Sequence, residues 1–498
     1  MKVFGHYFFG MWGRSAFLVL LGLLVAACVW RLETERHTVH SELLETPQGA
    51  VSFYSPKTTD AGPLVLVTHG FAGSRQMMQY ISRDLARAGF QVAAFDFYGH
   101  GRNAALLSPD VTRIEGTTQQ LVEQTKAVLA SLEPAGIDTG RVAVLGHSMA
   151  TDIIIRAARD LSGLGAVVAI SMYSDAVTPQ YPERLLVISG EWEARLRDVG
   201  RTMVAQVGGE GVERETVIEG DVIRRAVYAP NTEHVAVLFA PTTMEEARAW
   251  LLQAFSLAPQ GHTIAQGPVI ALLLIGLVLL GGQLMRGLPQ SAAAVPPLPM
   301  KVFLCTLLLP VVPACAAAVL SGGALFGLVS FQSLLWFFGV WGGVAITVLL
   351  WSGYRLKRPD WRGIVVFAIF GFGVFALALD RYAAAFLPFG PRLPLMIALT
   401  IGCLPFMIAD RLLVHGAALW QRFVARAVPV VALGSCMMLF PQKMGLLFTV
   451  LPVLVLFYAV YGTMGHLLSR RQGAETAGLA LGIVLAWSIA ASTPLFAG

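Results

Sequence analysis

Between residues 31 and 260 short aliphatic and β-branched runs alternate with amphipathic stretches, and beyond residue 260 the runs become long and apolar. In the first region the runs predict strands at 64–67, 91–97, 142–145, 166–170, 185–189 and 225–228, and the last helical stretch at 243–255. Strands alternating with helical stretches argue for a mostly parallel sheet covered by helices on both faces. In the second region apolar runs lie at 268–284, 302–320, 324–351, 364–379, 393–409, 428–440, 446–465 and 477–496. A bilayer span needs roughly 20 apolar residues, which suits all of these except the short run at 428–440. One more run, at 15–30, opens the chain. The pattern therefore divides the sequence into an anchor or signal segment at 1–30, a polar domain at 31–260 and an all-α membrane domain of about eight spans at 261–498.

Charge sharpens that division. Only 13% of the 498 residues are charged, where soluble domains carry roughly 25%. Residues 31–260 hold 20 basic and 27 acidic side chains, a net of −7, and residues 261–498 hold 14 and 4, a net of +10. The overall +5 is an average of two unlike regions and gives no case for nucleic acid. With the N-terminus inside, alternate inner segments collect 13 Lys and Arg, among them Arg286, Arg355, Arg411, Arg422 and Arg470, against Arg381, Arg392 and Lys443 outside. That positive-inside bias places the polar domain outside the cytoplasm, at the periplasmic face of a bacterial inner membrane. Val25-Ala26-Ala27-Cys28 also resembles a lipobox, a second way of exporting the polar domain. All five cysteines lie in apolar segments, so the polar domain has neither disulfides nor thiol nucleophiles.

The chemistry sits where strands end, as it does in open parallel sheets. Strand 142–145 runs into Gly146-His147-Ser148-Met149-Ala150, with a helix beginning near residue 151. This matches a nucleophile elbow in which G-x-S-x-G has become G-x-S-x-A. Strand 64–67 leads into His69-Gly70-Phe71, and strand 91–97 into Asp96-Phe97-Tyr98-Gly99-His100-Gly101. The latter is similar to the D-x-x-G-H-G stretch of lipase-like and esterase-like enzymes. On these motifs residues 51–255 resemble the α/β-hydrolase superfamily.

The resemblance implies a Ser-acid-His order along the chain, with Ser148 as nucleophile and His234, after the last strand, as base. Family members place the acid shortly after the glycine that ends the strand at 185–189, which points to Glu193, with Glu191 as the alternative and Asp175 a third. It also implies an oxyanion hole from the backbone N–H groups of Phe71 and Met149, while His69, Asp96 and His100 shape loops. Residues 171–184 are too few for a lid. The expected function is a membrane-bound serine hydrolase cleaving an ester of a lipid or lipid-linked substrate through an acyl-enzyme, with the bilayer as partner. Acyl transfer by the same triad, or a transport or scaffold protein with a hydrolase-like accessory domain, are the alternatives. The sequence has no H-E-x-x-H, clustered cysteines, phosphate loop or dinucleotide fingerprint, so no metal or cofactor is expected.

Overall fold

The computed structural model describes residues 2–57, 62–293 and 295–498. They divide into two compact units, one built from Cys28–Ala271 with Arg381–Ala385, the other from Met1–Ala27, Leu272–Asp380 and Phe386–Gly498. The segment at 15–30 and its polar sequel form one unbroken helix, α1 (Lys2–Arg36), which passes through Cys28.

In the polar unit nine strands form one sheet in the order β1-β2-β4-β3-β5-β6-β7-β9-β8. Its centre is β3 (Leu64–Thr68), β5 (Val142–His147), β6 (Leu164–Ile170) and β7 (Arg184–Gly190), with β4 (Gln91–Phe95) and β9 (Val222–Ala229) flanking them, all parallel. β3 and nearly all of β4, β5 and β7 are buried. That is why they read as continuous apolar runs: a parallel sheet is covered on both faces. Its covering helices are α2 (Gln79–Arg87), α3 (Gln119–Leu132), α4 (Met149–Ala158), α5 (Ala194–Ala205) and α6 (Pro241–Ala254), with α2 packed on α6 and α3 on α4.

Three strands escape the sequence pattern: β1 (His40–Thr46), β2 (Gly49–Ser55) and β8 (Thr216–Glu219). All pair antiparallel, and β1 and β8 form the sheet's two ends. β1 and β8 are mostly exposed and rich in charge and hydroxyls, as edge strands that resist further pairing tend to be. β4 stops at Phe95 rather than residue 97, because Asp96 already turns out to hold the following loop. No helix stands between β6 and β7, so the unit has no lid there.

Glu35, 1% exposed, accepts from Arg83 Nε at 2.8 Å and from Arg87 Nη1 at 2.6 Å. Removing one partner of a buried ion pair leaves charge uncompensated in a low dielectric, a loss of about 3–5 kcal/mol. Glu35→Gln is accordingly expected to destabilise this unit by that amount, read as a fall in its denaturation midpoint.

In the apolar unit the helices are α7 (Gly267–Gly287), α8 (Met300–Leu320), α9 (Phe331–Trp351), α10 (Trp361–Tyr382), α11 (Arg392–Val414), α12 (Leu419–Leu439), α13 (Val450–Gln472) and α14 (Ala474–Ser492). With the apolar part of α1, nine helices among the described residues are long and apolar enough to cross a membrane. α14 is the most enclosed, 83% buried over its apolar window, and packs chiefly on α11. The short run at 428–440 belongs to a 21-residue helix whose first two turns carry Arg422 and Arg426. Those charges broke the hydropathy run without breaking the helix, since a long basic side chain can lie along a helix end and keep its head near water. At 324–330 the expected helix is instead a turn, with Ser330 in a left-handed conformation before α9 begins.

Candidate active site

Ser148 stands between β5 and α4 with φ 56° and ψ −121°. A non-glycine residue in that region is strained, and the strain lifts its side chain clear of the strand-to-helix turn. The helix starts at Met149, two residues earlier than the sequence pattern suggested, so the Met149 N–H is one of the donors a helix start leaves unpaired. Crowding explains the small residues nearby. A Cβ on Gly146 would lie 3.0 Å from the Ala150 carbonyl oxygen and from Thr68 Oγ1, and Ala150 itself is fully buried. The extra methyl of Ala150 thus packs inward, while the glycine two residues before the serine has no room for one.

His234 follows β9 on a loop whose backbone is tied in place. Glu191 Oε2 accepts from Asn231 N–H at 2.7 Å, the Trp192 N–H donates to Thr232 O at 3.1 Å, and Glu233 accepts from the N–H groups of Val235 and Ala236, both at 2.8 Å. His234 Nε2 then lies 2.8 Å from Ser148 Oγ, and Nδ1 lies 2.5 Å from Glu193 Oε1. The other Glu193 oxygen accepts from Gly190 N–H at 2.6 Å and from the Ser171 hydroxyl at 2.7 Å. Burial raises the Glu193 carboxyl, but the hydrogen bonds from His234, Gly190 and Ser171 outweigh it, and the net direction is downward. Glu193 is 7% exposed and His234 44%, so the acid is sheltered while the imidazole faces the solvent side.

The structure therefore brings Ser148, His234 and Glu193 together, and it does not bring Glu191 or Asp175 to the imidazole. Glu191 is spent on the Asn231 N–H, and the exposed Asp175 on Arg156. His69 donates from Nδ1 to Gly70 O at 2.8 Å and accepts from Phe97 N–H at Nε2, 3.0 Å away, so both ring nitrogens hold backbone. Asp96 holds Arg75 and the N–H groups of Arg75 and Arg102. The loop carrying Phe71 runs against the nucleophile: a Cβ on Gly70 would sit 2.9 Å from Ser148 Cβ. Among the described residues no group of three or more His, Cys, Asp or Glu could hold a metal ion.

Two neighbours went unnoticed in the sequence. Ser171, with φ 52°, directly follows β6 and donates to the acid. Its signal is slight, a serine directly after a strand. His147 is 4% exposed and donates from Nε2 to the His234 carbonyl at 2.8 Å, their ring centroids 4.9 Å apart. Burial, then the charge of His234, pushes its pKa down to about 4. His147 is thus neutral when folded but free to take a proton when unfolded, near its ordinary value of 6.5. The unfolded chain then binds the extra proton between those two values, so stability falls as the pH drops from about 6.5 to about 4 and levels off below. A loss of about 3 kcal/mol from this group is expected over that window. A His147→Gln variant should show a shallower fall in its denaturation midpoint across the same pH range.

A largely parallel sheet, a serine at the strand-to-helix turn and a histidine after the last parallel strand define the class: the polar unit has the α/β-hydrolase fold, and it is joined to a set of long apolar helices. Residues 59–195 match the model of the family described as serine aminopeptidase, S33. Among solved structures the chain is similar to TT1662 from Thermus thermophilus (17% identity, TM-score 0.32), covering 44% of this chain and 99% of that one. It is also similar to a dienelactone hydrolase from Anabaena variabilis (16%, TM-score 0.34; 44% and 99%). A third is a predicted CIB-like hydrolase from Thermoplasma acidophilum (14%, TM-score 0.32; 42% and 98%). No curated protein matches the chain.

Proposed function

We propose that the protein is a membrane-bound serine hydrolase that cleaves an acyl ester of a lipid or lipid-linked molecule, with Ser148, His234 and Glu193 as its triad. The observation that carries the reading is the unbroken relay from Ser148 Oγ through His234 to Glu193, at 2.8 and 2.5 Å. His234 Nε2 takes the serine proton as Oγ attacks the acyl carbon. Glu193 fixes the proton on Nδ1 and stabilises the imidazolium. The N–H groups of Phe71 and Met149 receive the developing oxyanion, and the imidazolium then returns its proton to the departing alcohol. Water, activated by the same imidazole, releases the acid from the acyl-enzyme.

Placement and surface support a membrane-borne substrate. The loops after β6 and β7, which supply Ser171 and Glu193, also carry Tyr173 and Trp192, 72% and 66% exposed. Two exposed aromatics beside an uncovered site suit an apolar acyl chain. Nine apolar helices among the described residues suit an enzyme held at a bilayer, and the 13-to-3 bias of basic residues supports a hydrolase unit on the outer side of a bacterial inner membrane. The test is hydrolysis by the full-length protein in proteoliposomes, comparing a bilayer phospholipid ester, a soluble short-chain ester and an aminoacyl amide of the kind the S33 description names. Higher kcat/KM on the bilayer ester is expected. Equal or better turnover of the soluble ester removes the lipid assignment, and preference for the amide replaces it.

A further inference from the structure

We propose that the apolar unit contains a binding site for an anionic membrane lipid, its phosphate head held by arginines at the basic ends of α11, α12 and α13 and its tail lying between α12 and α13. The inference concerns a region apart from the triad and stands whether or not Ser148 acts; it shares only the reading of these helices as membrane spans.

Two cavities carry it. One, of about 560 Å³, is lined by Arg286, Arg411, Arg422, Arg470, Arg471 and His466 among others, and its wall contains no Asp or Glu. Arg411, 1% exposed, is neutralised by Asp410, with Nε and Nη2 at 2.9 and 2.7 Å from Oδ2. The others are not. Arg422 donates from Nε to the Ala417 carbonyl at 2.8 Å and points Nη1 at His466 Nε2, 3.5 Å away. No carboxylate among the described residues lies within ion-pair distance of Arg286, Arg422, Arg470 or Arg471. So much uncompensated positive charge around one recess is costly unless an anion enters it, and basic pockets between spans are where acidic lipid heads bind.

The second cavity, of about 630 Å³, shares Arg411, Val414, Arg422 and His466 with the first, so the two run into each other. Apart from Arg426 its remaining wall is mainly apolar, with Phe423, Val430, Val431 and Val455 facing one another across α12 and α13. Arg426, on the wall of this second cavity, has its Nε buried and without a hydrogen bond, 3.7 Å from Asp410 Oδ1. A soluble anion would satisfy the basic part and leave the groove empty. A lipid fills both, its charge meeting the arginines and its chain the valines.

The test uses the full-length protein in detergent, with lipid binding followed by native mass spectrometry. Phosphatidylglycerol is expected to bind at least about tenfold more tightly than phosphatidylcholine. The double variant Arg422→Gln/Arg470→Gln should erase that preference. Arg470→Gln alone, on an exposed side chain, serves if the double variant does not give folded protein. Ala459→Trp, which fills the groove from its exposed side, should weaken phosphatidylglycerol without changing the weak binding of inorganic phosphate. Arg362→Gln, a basic residue outside both cavities, should leave lipid binding as it was. Three results would overturn the proposal: no preference for the anionic lipid in the parent, a preference that survives loss of the arginines, or inorganic phosphate matching phosphatidylglycerol in affinity, which would make this a free-anion site.

Discussion

Ser148→Ala is expected to lower kcat on the preferred ester by about 10⁶-fold while the protein folds as before. The size follows from what is removed. Without Oγ no acyl-enzyme forms, and the imidazole and oxyanion donors are left to assist only a direct attack by water. Folding should survive because, among the described residues, the serine hydroxyl bonds to nothing but His234, and because alanine occupies the strained φ of 56° no less readily than serine. Steady-state hydrolysis measured beside a melting curve separates the two effects. An unfolding free energy within about 1 kcal/mol of the parent's, with activity gone, is the expected pair of results. Retained activity would remove Ser148 from the chemistry.

Glu193→Gln should cost about 10⁴-fold in kcat, although it removes no atom from contact with substrate. The carboxylate serves two sets of donors: His234 Nδ1–H on one oxygen, Gly190 N–H and the Ser171 hydroxyl on the other. A glutamine has a single acceptor oxygen. If that oxygen keeps Gly190 and Ser171, the amide N–H₂ faces Nδ1 and forces the imidazole proton onto Nε2, where it can no longer accept from serine. Glu191→Gln is the matched control. Its acceptor oxygen can still receive the Asn231 N–H, so kcat should change by less than about fivefold. Comparable losses in both variants would mean that the loop needs its negative charge rather than one oriented carboxylate.

The contrast between these two glutamates marks where sequence reading ran out. Both lie in one short turn after β7, two residues apart, and nothing in their order says which side chain reaches the imidazole. The decision rests on backbone: Gly190 and Glu193 close a turn through the Glu193 N–H, and the Asn231 N–H of the opposing loop occupies Glu191. Ser148 was legible because its signal is local, a serine between small residues where an apolar strand becomes a helix. The central strands were legible because burial on both faces leaves continuous apolar runs. β1, β2 and β8 were not, being short antiparallel strands at or near the sheet's ends whose partners are set by the fold. Ser171 and His147 act only across space, on Glu193 and on the His234 carbonyl, and no spacing in the chain announces that. Arg422 and Arg426 made α12 look shorter than it is, and the same two arginines line the groove between α12 and α13.

The most direct measurement is to map the adduct left by a fluorophosphonate on the full-length protein by tandem mass spectrometry of its peptides. A single phosphonyl group on Ser148, absent when His234 is replaced by alanine, is the expected result. An adduct on Ser171 or another serine, or unchanged labelling of Ser148 without His234, would contradict the hydrogen-bonded relay as the source of the hydroxyl's reactivity.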